Sequence, residues 1–228
     1  TDTAGNPAFS QVAVEVDNVL AGTIGGRVDF GYPVVGSTVS AFEMGDGADG
    51  AVRGAVIGTA LTDDFGLYQI ENASFSGAIE VVATGGLFED PSTGQVLSLR
   101  AGQELVTAIA GAALGQAMVA NVNGFSTLAA RRAEATQGES ASFAAAVTFN
   151  SNLFASHLLR PGSLSLMASG SADLLVDTPA PSDAAALMAL AHAGLSRIAA
   201  QTSIDVGGAV GQITPIDLLD VLSADLRD

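Results

Sequence analysis

The side chains able to do chemistry in this 228-residue chain are few in kind. All eight basic residues are arginine, no lysine or cysteine occurs, and the only histidines are His157 and His192. Without lysine there is no Schiff-base amine, P-loop phosphate ligand or Ser-Lys pair. Without cysteine there is no thiol nucleophile, disulfide, zinc finger or iron–sulfur cluster. A serine hydrolase needs a nucleophile on a strained turn with a histidine in reach. No G-x-S-x-G occurs; His157 stands at a helix end beside Leu158 and Leu159, and His192 in an alanine-rich helix. There its ring packs at the helix edge or points to water. Two histidines so far apart in sequence do not make a zinc triad.

Oxygen ligands are more plentiful. Calcium takes six to eight of them at close spacing. Asp46 and Asp49 lie in the glycine-rich segment Gly45-Asp46-Gly47-Ala48-Asp49-Gly50, with Asp63 and Asp64 in a later turn. Neither fits the D-x-[DN]-x-[DN]-G loop. The segment is therefore either a solvated acidic loop or a calcium loop built on Asp46 and Asp49, and no other cofactor is expected. A carboxylate pair for glycoside hydrolysis would need an aromatic-lined cleft. With no Trp, two Tyr and ten Phe, such a cleft is poorly supplied. The run Gly207-Gly208-Ala209-Val210-Gly211 is too short for a dinucleotide fingerprint and reads as a loop before the last helix.

Charge narrows the partners. Eight basic against 24 acidic residues give a net charge of −16, which repels nucleic acid backbones and anionic lipid. The hydrophobic fraction of 48% suffices for a packed core. Residues 105–130 carry no charge and are long enough to span a bilayer. They also hold Thr107, Gln116, Asn121, Asn123 and Ser126 among three glycines, so strands and a helix start are expected, not a membrane span. Thr1 to Pro7 shows no basic or apolar leader, as is also true of a mature exported protein.

The elements change character near Asn123. Val12, Val14 and Val16 alternate with Ala13, Glu15 and Asp17, one strand in an N-terminal segment, 1–23. Gly22 to Gly26 interrupts, and alternation resumes at 27–30. Further strands are expected over 37–42, 55–61, 67–70, 78–83, 96–99, 105–110 and 117–122. Turn clusters separate them, with Gly66 at a positive-φ position after Thr62-Asp63-Asp64-Phe65. This spacing predicts a β-sandwich over 24–123. The rest, 124–228, reads as helical: 125–136 with Gly138 as C-cap, 139–159, and a helix after Ser182-Asp183 with Leu187, Leu190, Ala191, Leu195 and Ile198 on its apolar face. The last helix has Thr214 as N-cap, Pro215 in the first position and an apolar face of Ile216, Leu219, Leu222 and Leu226.

The run Gly58-Thr59-Ala60-Leu61-Thr62-Asp63-Asp64-Phe65-Gly66-Leu67-Tyr68 resembles the T-D-x-x-G-x-Y hairpin of carboxypeptidase regulatory-like domains, which are transthyretin-like (prealbumin-like) sandwiches. Gly26-Arg27-Val28 with Val35-Gly36-Ser37-Thr38-Val39, and Ile79 to Gly86, are similar to their flanking strands. More widely, Gly86 to Gly94 followed by Asn121 to Ala133 resembles the junction of sandwich and helical region in large bacterial surface lipoproteins, although Asn-Gly-Phe-Ser replaces Thr-Pro-Leu-Thr there. The resemblance implies an exported, cell-surface location and a non-catalytic module. Adhesin-type isopeptide bonds need a lysine and are excluded.

Together these readings predict an α+β protein, an N-terminal transthyretin-like antiparallel β-sandwich followed by a C-terminal α-helical bundle. The expected function is a non-enzymatic surface module for adhesion or assembly, with protein partners or self-association. One alternative is a subunit of an extracellular filament, in which Val12, Val14 and Val16 bind a neighbour by β-strand addition. The other is a secreted hydrolase or its accessory domain.

Overall fold

The computed structural model describes residues 22–47, 50–140, 142–158 and 183–226. Its first strand is the glycine-rich segment that alternation treats as an interruption. β1 (Gly22–Arg27) lies between β4 (Leu67–Ala73), antiparallel to it, and β9 (Ala117–Val119), parallel to it. A Cβ on Gly22 would stand 2.3 Å from the Gln116 carbonyl oxygen, and one on Gly26 2.3 Å from that of Ala120. Glycine is what lets β9 approach. Strand propensities discount glycine, so they miss this element.

A second sheet runs antiparallel in the order β3 (Gly50–Leu61), β2 (Thr38–Gly47), β5 (Gly77–Thr84), β8 (Glu104–Ala112). β2 and β3 pair as far as Gly47 and Gly50, so residues 45–47 and 50 of the expected loop are strand. A short unforeseen strand, β6 (Leu87–Glu89), pairs with β7 (Val96–Ser98) and is bridged to Val35.

Side-chain alternation divides the second sheet. Ile79, Val81 and Ala83 of β5 join Val39, Ala41 and Leu105 in a core completed by Ile24, Tyr68 and Ile70 of the first sheet, so the two sheets face each other. Each fully buried Val, Leu or Ile side chain among them contributes about 1.5–3 kcal/mol. Glu80 and Val82 point to the opposite face. There Val106 and Ala108 meet Ala130 and Ala133 of α1 (Gly124–Thr136) and Phe143 and Val147 of α2 (Phe143–Leu158). Phe125 and Leu128 of α1 and Met188, Ile216 and Leu219 of the later helices belong to the inter-sheet core, which is thus continuous from sheets to helices.

The helix ends follow their sequence signals in part. Asn123 caps α1, accepting from the Phe125 and Ser126 N–H groups. Gly138 sits in a 3-10 turn (Gln137–Glu139) leading to α2, not in a left-handed C-cap. Thr214, Pro215 and Asp217 open α4 (Pro215–Asp225) as a capping box. Ile216 and Leu219 are buried as expected, whereas Leu222 is partly exposed. The apolar face of α3 (Asp183–Asp205) matches the expected one only at Ala191 and Leu195, which pack against the core. Met188, His192, Ser196, Ala199 and Ser203 face inward, while Leu190 and Ile198 are exposed. Small residues allow the helix close to the loops it covers, and periodicity weighted by leucine misses that. The uncharged stretch 105–130 is β8, β9 and the start of α1, and among the described residues no helix is long and apolar enough to cross a membrane.

Candidate functional site

A cleft of about 270 Å³ opens where the loop after β1, the turn between β3 and β4, and the β6–β7 hairpin meet. Each wall is held by hydrogen bonds. Thr62 donates its hydroxyl to the Val34 carbonyl (2.7 Å) and accepts the Ser37 N–H (2.8 Å), pinning the loop to the turn. Asp63 Oδ1 accepts the Phe65 and Leu67 N–H groups at 2.9 and 2.8 Å. Gly66 takes φ +72, as expected, and a Cβ there would stand 2.5 Å from the Val28 carbonyl oxygen. On the other side, Val35 and Leu87 exchange backbone hydrogen bonds of 2.8 and 2.9 Å.

The hairpin is anchored through Asp90. Its carboxylate accepts the Ser92 and Thr93 N–H groups, both at 2.9 Å, and the Ser196 hydroxyl of α3. Burial alone would raise the Asp90 pKa, but these hydrogen bonds outweigh it and hold it below the usual carboxylate range. The hairpin is thereby tied to a helix more than a hundred residues away in sequence.

The lining is apolar with an acidic rim. Tyr32, Pro33, Val35, Leu87, Phe88 and Val96 form the walls, and Asp64 and Glu89 are its only charged members. Leu87 is 54% exposed and Val96 68%, and Phe65, next to Asp64 in the turn, is 69% exposed. Neither Asp64 nor Glu89 has an ion-pair partner among the described residues. Rigid walls carrying exposed apolar side chains describe a surface suited to association.

Other ionisable groups are enclosed. Glu80, on the helix-facing side of β5, has no solvent exposure. Its Oε2 accepts Arg53 Nε at 2.7 Å, its Oε1 lies 3.9 Å from Arg131 Nη1, and Glu134 adjoins the carboxyl group. Arg131 reaches Glu104 at 2.6 Å and Glu134 at 2.9 Å. Two arginines and three glutamates leave one negative charge in excess under α1, and a proton on Glu80 neutralises it. Burial, then the hydrogen bond and charge of Glu134, push the Glu80 pKa up to about 8 against the pull of Arg53 and Arg131. Glu104 is lowered because hydrogen bonds from Arg131 and Arg53 overcome its burial.

His192 lies between the rings of Phe30 and Phe125, at centroid distances of 4.6 and 4.7 Å. It is fully buried instead of at the helix edge, and burial lowers its pKa to about 3. His157 joins Arg132, Phe125 and Phe154 around an apolar cavity of about 380 Å³ between α1 and α2.

Of the residues singled out by sequence, Asp46 is engaged structurally. Its Oδ1 accepts the Phe143 N–H at 2.6 Å, at the start of α2, and Gln137 Nε2 at 3.2 Å. Asp49 lies outside the described residues, as do Val12, Val14 and Val16. No group of three or more His, Asp or Glu able to hold a metal ion occurs among the described residues. The cleft itself is not among the expected sites. Its signal was present as apolar residues, Phe65 and Val96, inside or beside turn clusters where polar residues are usual.

Neither family models nor curated proteins give a match. Among solved structures the chain is similar to a 9R-lipoxygenase from Cyanothece PCC8801, with 13% identity over 51% of this chain and a TM-score of 0.28. The match spans 18% of that chain, and likeness at this level carries no argument about fold or activity.

Proposed function

We propose that this chain is a non-enzymatic module, exported to the cell surface, that adheres or assembles through the cleft bordered by Leu87 and Val96. In the same reading its fold is a transthyretin-like sandwich followed by a helical bundle. The observation that carries it is a preorganised apolar cleft left open, while the convergent carboxylates Glu80, Glu104 and Glu134 are bound to arginines beneath α1. A hydrolase would use such carboxylates in an accessible cleft, and Glu80 has no exposure. The two facing sheets and the resemblance of the 58–68 hairpin support the fold reading.

The filament reading, with Val12, Val14 and Val16 added to a neighbour's sheet, draws support from β3. This strand of 12 residues is paired on only one side among the described residues, and residues 52–56 are exposed. Exposed strand edges are templates for added strands.

The test is association of the labelled full chain with intact cell envelopes and with itself, by flow cytometry and light scattering. Association is expected in the wild type and is expected to be lost in Leu87→Asp and Val96→Asp at unchanged melting temperature. Absence of association, or association indifferent to both substitutions, would refute the reading.

A further inference from the structure

We propose that the cleft seats a cationic side chain, an arginine or lysine flanked by aliphatic residues on a partner protein; this rests on the interaction reading above. The lining holds two carboxylates, Asp64 and Glu89, and no basic residue. Neither carboxylate is neutralised by an ion pair among the described residues. Glu80, Glu104 and Glu134 are paired internally with Arg53 and Arg131, whereas the carboxylates of the cleft are left to a ligand. They add to the field of a chain of net charge −16, which attracts cations from solution.

Size and wall chemistry narrow the occupant further. At about 270 Å³ the cleft falls just below the roughly 300–1,000 Å³ of pockets for drug-sized ligands, so it fits one side chain. Pro33 and Val35 supply an aliphatic wall, backed from the core by Tyr32 and Phe88, which are 8% and 2% exposed. A guanidinium or ammonium on an alkyl stem lays the stem on that wall and the charge at the rim. The exposed side chains of Leu87, Val96 and Phe65 extend the apolar surface beyond the cleft. A free amine would leave them uncovered, whereas aliphatic neighbours on a peptide would cover them. The hydrogen bonds of Thr62, Asp63 and Asp90 fix the walls beforehand, so little order is lost on binding.

The full chain, with its methyl groups labelled, is titrated with Ac-Leu-Arg-Leu-NH2, with the same peptide carrying neutral citrulline, and with agmatine. The arginine peptide is expected to give saturable shifts at the Val35, Leu87 and Val96 methyls. The citrulline peptide should bind about threefold or more weakly, the ratio of an exposed ion pair, and agmatine more weakly than the arginine peptide. Asp64→Asn combined with Glu89→Gln should erase the difference between the two peptides. Equal binding of both peptides by the wild type, agmatine as tight as the arginine peptide, or no shift at millimolar peptide would overturn the proposal. Envelope association separates the two claims. Loss in Leu87→Asp with retention in the Asp64→Asn, Glu89→Gln double variant removes the cationic partner but keeps the interaction reading, and indifference to Leu87→Asp removes both.

Discussion

Replacing Glu80 by glutamine should change the pH dependence of stability more than stability itself. Glu80 is fully buried, accepts from Arg53 at 2.7 Å and faces Glu134. Its pKa is about 8 in the fold and 4.5 as a free side chain. A raised acid pKa means that the folded state holds a proton the unfolded state has lost. The resulting stabilisation is fully present below 4.5 and is lost as pH rises through about 8. At about 1.4 kcal/mol per pH unit for one proton, the wild type should lose on the order of 3.5 kcal/mol between pH 5 and pH 8 from this group. Glutamine copies the protonated acid: its oxygen accepts from Arg53 and its amide donates to Glu134. The variant should therefore match the wild type near pH 5 and gain on it steadily towards pH 8. Urea unfolding of both proteins at half-unit intervals reads the difference directly, because all other titrating groups are common. Parallel curves for the two proteins would refute the assignment. Glu80→Ala serves as contrast, since it removes one of the two carboxylates Arg53 contacts, leaving Glu104 at 3.4 Å, and should cost about 1–3 kcal/mol at any of these pH values.

Three further outcomes are expected. Gly66→Val should lower stability by about 1–3 kcal/mol from backbone strain alone, and by more because its Cβ meets the Val28 carbonyl at 2.5 Å; an unchanged melting temperature would remove Gly66 from its turn. His192, whose pKa falls to about 3, contributes stability that is complete above pH 6.5 and lost as pH drops towards 3; His192→Phe should flatten the acid limb of the stability profile, and an acid limb identical to the wild type would contradict its neutral burial. With a net charge of −16, the melting temperature at neutral pH should rise with NaCl, most steeply at low salt; a flat response would show that the charges are too dispersed to matter.

What could be read ahead of the structure was the local chemistry of turns and caps. Gly66 at positive φ, the turn at Asp90 to Gly94, the Thr214 N-cap and most strands are fixed by near neighbours in sequence. What escaped depends on distant backbone. β1 is glycine-rich because β9, about ninety residues later, lies too close for a Cβ, and strand propensity knows nothing of that approach. The inward face of α3 is set by His192 and Ser196, one docking on Phe30 and Phe125 and the other on Asp90, a helical stripe whose polar members a search for apolar periodicity passes over. The cleft was illegible for a related reason. Its walls come from four separated stretches, and Asp64 and Glu89 become a rim only when those stretches fold together. Asp46, read as a calcium ligand or a solvated acid, meets the N–H of Phe143 almost a hundred residues away.

The central claim is that the cleft, and not apolar surface in general, meets the partner. A photo-reactive benzoyl-phenylalanine placed at Val96, on the cleft, and separately at Phe149, an equally exposed position on α2, compares the two on intact cell envelopes. A discrete crosslinked adduct is expected from position 96 and none from position 149. Adducts of equal yield from both positions, or none from position 96, would contradict it.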